Sequence, residues 1–329
     1  MNPLDAMSDA FGWIQQALFE AVVQPVLFAA GGAHLLEQGY AGTQWFLWGL
    51  IQLGVLATLF HALERWRPVE PVIDDRAVRV DRLYAVIHRL GVFRLAMFFL
   101  LEPVGMSVAA LFHGIGWTAW QVDAWWPGVT SHAWVSFVIY LVLFDALEYF
   151  IHRAQHRYAW WWALHAVHHS QRQMTVWSDT RNHLLDDVIR SVLWAMVAQA
   201  VGVPPAQFVA VVVCTQLIES LSHANARIAW WGILEKVIVS PRFHRLHHAI
   251  GEGHESHGPG SLGGHNFGVL FAWWDHLLGT HSRLAELQPT GIRDQLPDHG
   301  HRDYGQGFWS QQVLGLVRMW QVCKPARVR

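Results

Sequence analysis

The chain has 329 residues, of which 53% are hydrophobic and only 15% charged, against about 25% charged in ordinary soluble domains. Its net charge of −2 excludes a global field for nucleic acid. Its two cysteines, Cys214 and Cys323, lie far apart and in no CxxC pair, which excludes a disulfide framework or a thiolate metal site.

The N-terminal MNPLDAMSDAF lacks the positive start of a secretory signal, so apolar segments are expected to stay in the mature protein. Residues 10–36 are apolar but interrupted by Glu20, Pro25 and Gly31-Gly32, and read as a broken span or an interfacial helix. Residues 43–63 are the cleanest span, close to the ~20 residues that a bilayer core requires. Arg65, Arg67, Arg76, Arg79, Arg82, Arg89 and Arg94 follow, and the positive-inside rule puts that end in the cytoplasm. Residues 92–113 return outward, with Glu102 and Pro103 in their middle. Trp117, Trp120, Trp125 and Trp126, in the loop at 116–128, suit an interfacial belt. Residues 133–151 come back in and end at His152-Arg153.

Two further apolar helices, 188–201 and 205–222, meet at a Gly202-Val203-Pro204-Pro205 turn and read as a hairpin that enters without fully crossing. From residue 240 the chain is polar and rich in Gly and His. Residues 308–322 read as an amphipathic interfacial helix, and the basic tail KPARVR either meets anionic lipid heads or stays solvated. Counting crossings from the basic region puts every histidine cluster on the cytoplasmic side.

Nine histidines fall at the ends of these apolar stretches: His152 and His156; His165, His168 and His169; His223; and His244, His247 and His248. Imidazole is a common ligand of transition metals, and nine are too many for one ion. Spacings of three and four place residues on one helix face, whereas adjacent helical residues point about 100° apart, so His168 and His169 can reach different ions. Neutral nitrogen ligands without thiolate favour iron, zinc or copper. His34, His61, His88, His113 and His132 stand alone and read as ordinary structural residues.

Carboxylates sit beside these ligands. Asp145 and Glu148 precede His152 by seven and four residues, and charged groups in a span are usually functional. Asp145 is expected to orient a ligand ring through its second nitrogen. Glu219, four before His223, reads as a direct or water-mediated ligand or as half of a helix-end ion pair, and the last reading also fits Glu148.

These residues together resemble the fatty acid hydroxylase/sterol desaturase superfamily of integral membrane di-iron oxidases. Asp145-x3-Tyr149-x2-His152-Arg153-x2-His156 looks like its first motif, and Leu164-His165-x2-His168-His169-Ser170 like its second. His223-Ala224-Asn225 is similar to its isolated His-x-Asn element, and Ser240-Pro241-Arg242-Phe243-His244-x2-His247-His248 to its last box. Asn266-Phe267-Gly268, Trp274-Asp275 and Gly279-Thr280 extend the resemblance, which covers residues 133–281. The stretch Ala249–Gly264 looks longer than usual and adds His254, His257 and His265, of which His265 reads as a tenth ligand, a substrate contact or a solvated loop residue.

The resemblance implies a stem of membrane helices under a cytosolic, histidine-rich, metal-binding cap. It implies two iron ions held by the nine histidines, with Asp145, Glu219 and Asn225 as further site residues. It also implies O2-dependent hydroxylation or desaturation of a lipid, with electrons from an external donor of cytochrome b5, ferredoxin or reductase type. The expected fold is thus an all-α integral membrane protein with about four or more transmembrane helices. Residues 1–132 would form an N-terminal membrane part, 133–285 the catalytic region and 286–329 a C-terminal tail, in a bacterial inner membrane or the endoplasmic reticulum. The rival reading is a membrane metal-binding or transport protein without oxygenase activity. Gly258-Pro259-Gly260-Ser261-Leu262-Gly263 matches a nucleotide-binding GxGxxG only literally, because no strand precedes it and no βαβ unit surrounds it.

Overall fold

The computed structural model describes residues 3–97, 107, 110–111, 114–116, 120, 122–284 and 286–324. Among these residues the protein is helical, with only the isolated bridges Ile238–Phe271 and Ala249–Thr290 outside helices, turns and loops. Three helices are long and apolar enough to cross a membrane: Ala33–Trp66, Ala133–Arg157 and Pro205–Ser222. The first contains the expected span at 43–63 and the second extends the one at 133–151. Much of the expected return segment at 92–113 lies outside the described residues. The 10–36 stretch is not among the three; it is a helix over Pro3–Leu18, a π-turn over Phe19–Val23 and a short helix to Ala29, and it ends at Gly31, whose φ of +72° is one that glycine adopts without strain.

The chain packs as two units, residues 1–55 with 86–108, and 56–85 with 109–329. In the first, Phe19 meets Tyr40 edge-on at 5.3 Å and Phe11 stacks on Trp48 at 5.0 Å. Gly49 admits the Arg89 backbone carbonyl where any Cβ would collide with it, and the Arg89 guanidinium donates to Gln52 Oε1 at 2.9 Å.

The second unit carries every histidine motif. Its Ala133–Arg157 helix is 25 residues long; at 1.5 Å per residue about 20 of them cover a ~30 Å hydrocarbon core. His152 and His156 therefore emerge at its far end. Phe144 stacks on Trp194 at 4.5 Å and meets Phe208 edge-on at 5.8 Å, which joins this helix to Leu184–Val201 and Pro205–Ser222. Between those two, Gly202 takes a left-handed conformation and its N–H returns to the Ala198 carbonyl, the cap that lets the chain reverse. Pro205 opens the last helix, where its missing N–H costs nothing, and His223 closes it.

A second short helix, Ala159–His169, follows the extended Tyr158. It is covered by Phe308–Cys323, a helix of inverted polarity. Gln311, Gln312, Gly315 and Arg318 are buried, while Trp309, Val313 and Trp320 are exposed. These buried groups hold the helix in place: Gln312 donates to Tyr84 Oη at 2.8 Å, its carbonyl accepts from His183 Nε2 at 2.9 Å, and Arg318 Nε donates to the Ala163 carbonyl at 3.2 Å. An outward apolar face of this kind suits a lipid interface.

Candidate metal centre

The nine histidines are all buried, none more than 5% exposed. They converge as two groups of nitrogen atoms, each within 4.8 Å of its own members: His152, His156, His165, His169 and His247 in one, and His168, His223, His244 and His248 in the other. Helix geometry explains the division. Residues at i and i+4 share a group (152/156, 165/169 and 244/248), whereas His168 and His247, one residue off, point about 100° away. Each HxxHH box thus supplies both groups.

Ring orientation in the five-ring group is set by acceptors that cannot donate. His152 Nδ1 lies 2.9 Å from the Phe267 carbonyl, His156 Nδ1 3.1 Å from that of Gly263 and His247 Nδ1 2.7 Å from that of His265. The same role for His165 falls to the Asp186 carboxylate at 3.1 Å. A carbonyl or carboxylate oxygen only accepts, so each of these four rings carries a proton on Nδ1 and turns its Nε2 inward, where a metal would meet its lone pair. His152 Nε2 and His165 Nε2 have no hydrogen-bond partner. His156 Nε2 and His247 Nε2 each face His169 Nε2 at 3.1 Å. His169 has one proton at most, so lone pairs meet lone pairs. Buried acceptors arranged this way suit a bound cation.

The four-ring group is less tied. His223 Nδ1 lies 2.7 Å from the Glu219 carbonyl, and its Nε2 is 3.2 Å from His168 Nε2 and 3.0 Å from His244 Nε2. His244 Nε2 is in turn 3.2 Å from His248 Nε2. The Nδ1 atoms of His168, His244 and His248 have no hydrogen-bond partner. Burial and the neighbouring rings hold His168, His169, His244 and His248 far below the ordinary imidazole pKa, and His247 is pushed down by burial to about 3. The rings are therefore neutral and ligand-competent at physiological pH.

The three carbonyls belong to alternate residues, Gly263, His265 and Phe267. Turns with positive φ, not a regular strand, bring the three carbonyls to the rings, so one short stretch aims three imidazoles. Its shape is enforced locally. Gly263 and Gly264 have φ of 136° and 146°, and Asn266 sits at φ 60°. Asp275 accepts from the Phe267 and Gly268 N–H groups at 2.8 and 2.7 Å. Asn266 bridges the Phe243 carbonyl and the Ser282 N–H. The Asn-Phe-Gly and Trp-Asp elements thus serve ligand orientation through the backbone.

Asp145 and Asn225 make other contacts than expected, while Glu219 and His265 follow the plainer of their readings. Asp145 orients no ligand ring; its carboxylate accepts from Leu270 N, Phe271 N and Trp274 Nε1 at 2.8, 3.1 and 2.8 Å and secures the segment that follows Phe267. The role expected of it is taken by Asp186, which sequence reasoning missed. Asp186 also accepts from Gln155 Nε2 and Trp161 Nε1 at 2.8 and 2.6 Å. Burial alone would raise its pKa, but these hydrogen bonds outweigh burial and hold it below the ordinary value.

Glu219 points its carboxylate at Arg190, 3.6 Å away, and outside both nitrogen groups, while its backbone carbonyl orients His223. Glu148 pairs with the same Arg190 at 2.8 Å, the helix-end ion pair of the plainer expectation. Asn225 pins the chain at Val69 and Glu70 by three hydrogen bonds through its amide. His265 contributes its carbonyl and turns its ring to Glu252, and His254 is buried against Trp162 with rings 5.3 Å apart, so neither ring joins a nitrogen group.

Comparison with known proteins agrees with this geometry. The fatty acid hydroxylase family model matches residues 137–280. The chain is 30% identical to an ornithine lipid hydroxylase of Rhizobium tropici over 84% of its own length and 79% of the relative's. It is 26% identical to a Delta(7)-sterol 5(6)-desaturase of Gibberella zeae over 50% of this chain and 48% of that one. It is 25% identical to an alkylglycerol monooxygenase of Caenorhabditis elegans over 54% of this chain and 32% of that one. No solved structure matches significantly. Matched histidine boxes, apolar helices and near full-length similarity place one conclusion beyond the residues themselves: the chain belongs to the fatty acid hydroxylase/sterol desaturase superfamily of membrane oxidoreductases.

Proposed function

We propose that the protein is a membrane-bound di-iron oxygenase that uses O2 to hydroxylate a C–H bond of a lipid, with electrons from an external one-electron carrier. The single observation that carries this reading is the pair of buried nitrogen groups, five and four rings, whose lone pairs face one another. His152, His156, His165, His169 and His247 would hold one ion, and His168, His223, His244 and His248 the other. Bound iron would supply O2 activation and hydrogen removal from carbon. Nitrogen donors without thiolate suit iron, and the relatives include a hydroxylase, a desaturase and a monooxygenase of lipids.

The chain's own contribution is orientation and charge. Three carbonyls and Asp186 fix four rings, so the ions would be held without rearrangement. Imidazole ligands bring no negative charge to offset two dications, and the buried Asp186 carboxylate beside His165 would supply part of it. Metal transport is disfavoured, because the rings cluster at helix ends rather than along a path through the spans. The positive-inside rule favours the cytoplasmic face for the centre, in a multi-pass arrangement.

The test is lipid analysis under ¹⁸O2 of cells carrying the wild-type chain or His168→Ala, alongside iron content of purified protein. A lipid that gains one ¹⁸O only with the wild type, and about two irons per wild-type chain, are expected. An iron-loaded wild type with no oxidised lipid would overturn the oxygenase reading.

A further inference from the structure

The chain between His223 and the helix Pro241–His247 carries an apolar surface that the metal centre does not use. Trp231 is 89% exposed, Ile233 74% and Leu234 46%. Leu277 and Leu278, at the end of the short helix Trp273–Leu278, are exposed as well. The two stretches are neighbours. Leu234–Val237 packs against Trp273–Leu278, Ala272 N–H donates to the Val237 carbonyl at 3.1 Å, and Val239 N–H donates to that of Leu270 at 2.9 Å. A single exposed leucine is ordinary, but several large apolar side chains on adjoining elements mark an interaction surface.

The segment is built rather than loose. Gly232 turns it at φ +56°, in the left-handed region. The Glu235 carboxylate accepts from Trp230 N–H at 2.6 Å and from Ser240 Oγ at 2.8 Å, and the Trp230 indole donates to the Val239 carbonyl at 3.1 Å. The fold therefore holds the apolar tips outward. In water such side chains are unfavourable, and transfer to an apolar layer relieves them.

Position in the fold names that layer. Arg227 N–H donates to the Arg67 carbonyl at 2.8 Å, and its guanidinium donates to the Pro68 and Val69 carbonyls at 3.0 and 3.2 Å. Arg67 directly follows Trp66, the last residue of one membrane-length helix, and Ser222, the last of another, precedes Arg227 by five residues. Trp231 comes four residues after Arg227. The segment thus starts at the level where two spans end. There the hydrocarbon core gives way to an interfacial layer about 5–8 Å deep on each side. Trp66 is itself exposed at this level, and tryptophan is enriched at membrane interfaces.

The border of the surface is basic. Glu235 is engaged by Trp230, Ser240 and Arg242, while Arg67, Arg227 and Lys236 are exposed. Basic side chains around an apolar surface are attracted to anionic lipid head groups.

We propose that Trp231, Ile233 and Leu234, with Leu277 and Leu278, form a foot that seats in the interfacial layer of an anionic phospholipid bilayer, a membrane contact separate from the spans. The foot depends on the spans and not on the oxygenase reading. It also links the bilayer to the metal centre. Ser240, which donates to Glu235, caps the helix carrying His244 and His247 by accepting from Phe243 N–H at 3.0 Å.

The experiment uses the full chain with Cys214→Ala and Cys323→Ser, reconstituted in vesicles of phosphatidylcholine and phosphatidylglycerol. Trp231→Cys, Ile233→Cys and Leu277→Cys each carry one nitroxide label. Phe150→Cys, on the exposed side of the span Ala133–Arg157, marks lipid, and Asp298→Cys, in the exposed turn Pro297–His299, marks water. Electron paramagnetic resonance reads collisions with dissolved oxygen, which concentrates in lipid, and with a water-soluble nickel chelate. The foot labels are expected to match Phe150→Cys, reached by oxygen and shielded from the chelate. Foot labels as open to the chelate as Asp298→Cys overturn the proposal. Shielding from both reagents means that protein covers the surface and overturns it too; spin–spin broadening that fades on dilution with unlabelled protein then identifies the cover as a second copy.

Discussion

His168 and His169 are adjacent in the chain and belong to different nitrogen groups: His168 Nε2 lies 3.2 Å from His223 Nε2, and His169 Nε2 lies 3.1 Å from His156 Nε2. One helical step of about 100° separates the two sites. Either histidine can therefore be removed to address one site alone.

His168→Ala should abolish turnover and lower iron from about two to about one per chain, and His169→Ala should do the same at the other site. Membrane insertion should be unaffected, since it depends on the apolar spans. Metal analysis of membrane-extracted protein tests this. Loss of both ions from His168→Ala would show the groups to be one coupled site.

The two groups should bind unequally. Four of five rings in the first are anchored through Nδ1, against one of four in the second. A missing anchor typically costs about 10–100-fold in affinity. Cobalt titration of the metal-free protein should show two steps, with Asp186→Asn weakening the tighter one. A single step in the wild type would remove the argument.

Gly264→Ala should weaken the five-ring site although no ligand changes. Gly264 has φ +146°, and a Cβ there would lie 3.3 Å from His156 Nδ1 and collide with the Gly253 carbonyl. The row of carbonyls from Gly263 to Phe267 would shift, and with it three ring orientations. We expect roughly a tenfold or greater loss of affinity at that site, read by metal titration; unchanged affinity would mean the row is dispensable.

The metal-free protein should lose stability as pH falls below about 6.5. Burial lowers His254 to about 4 and His247 to about 3, from the ordinary imidazole value of 6.5. Between those limits the unfolded chain binds protons that the folded chain refuses, so the folded state is penalised as pH falls. Thermal unfolding in detergent at pH 7, 6 and 5 should show a declining midpoint, and His254→Gln should shallow the decline. A flat or rising midpoint contradicts the assignment of neutral buried rings.

The sequence by itself determined the helical class, the membrane character and the set of histidines that converge, because each rests on a short-range rule. Apolar runs near 20 residues mark spans, and spacings of three, four and one along a helix allot histidines to faces before any tertiary contact forms. That is why the division of His168 from His169 was legible. Only the tertiary structure decided what holds the rings. Three of the orienting groups are backbone carbonyls of Gly263, His265 and Phe267, which every residue possesses and no residue type announces. Asp145 and Asp186 are both buried acids near histidines, and the role expected of Asp145 falls to Asp186 because which acid meets His165 depends on how Leu184–Val201 packs against Ala159–His169. The ion-pair network of Glu148, Arg190 and Glu219 is likewise a product of packing, since its members come from three helices far apart in sequence and meet only when those helices are side by side.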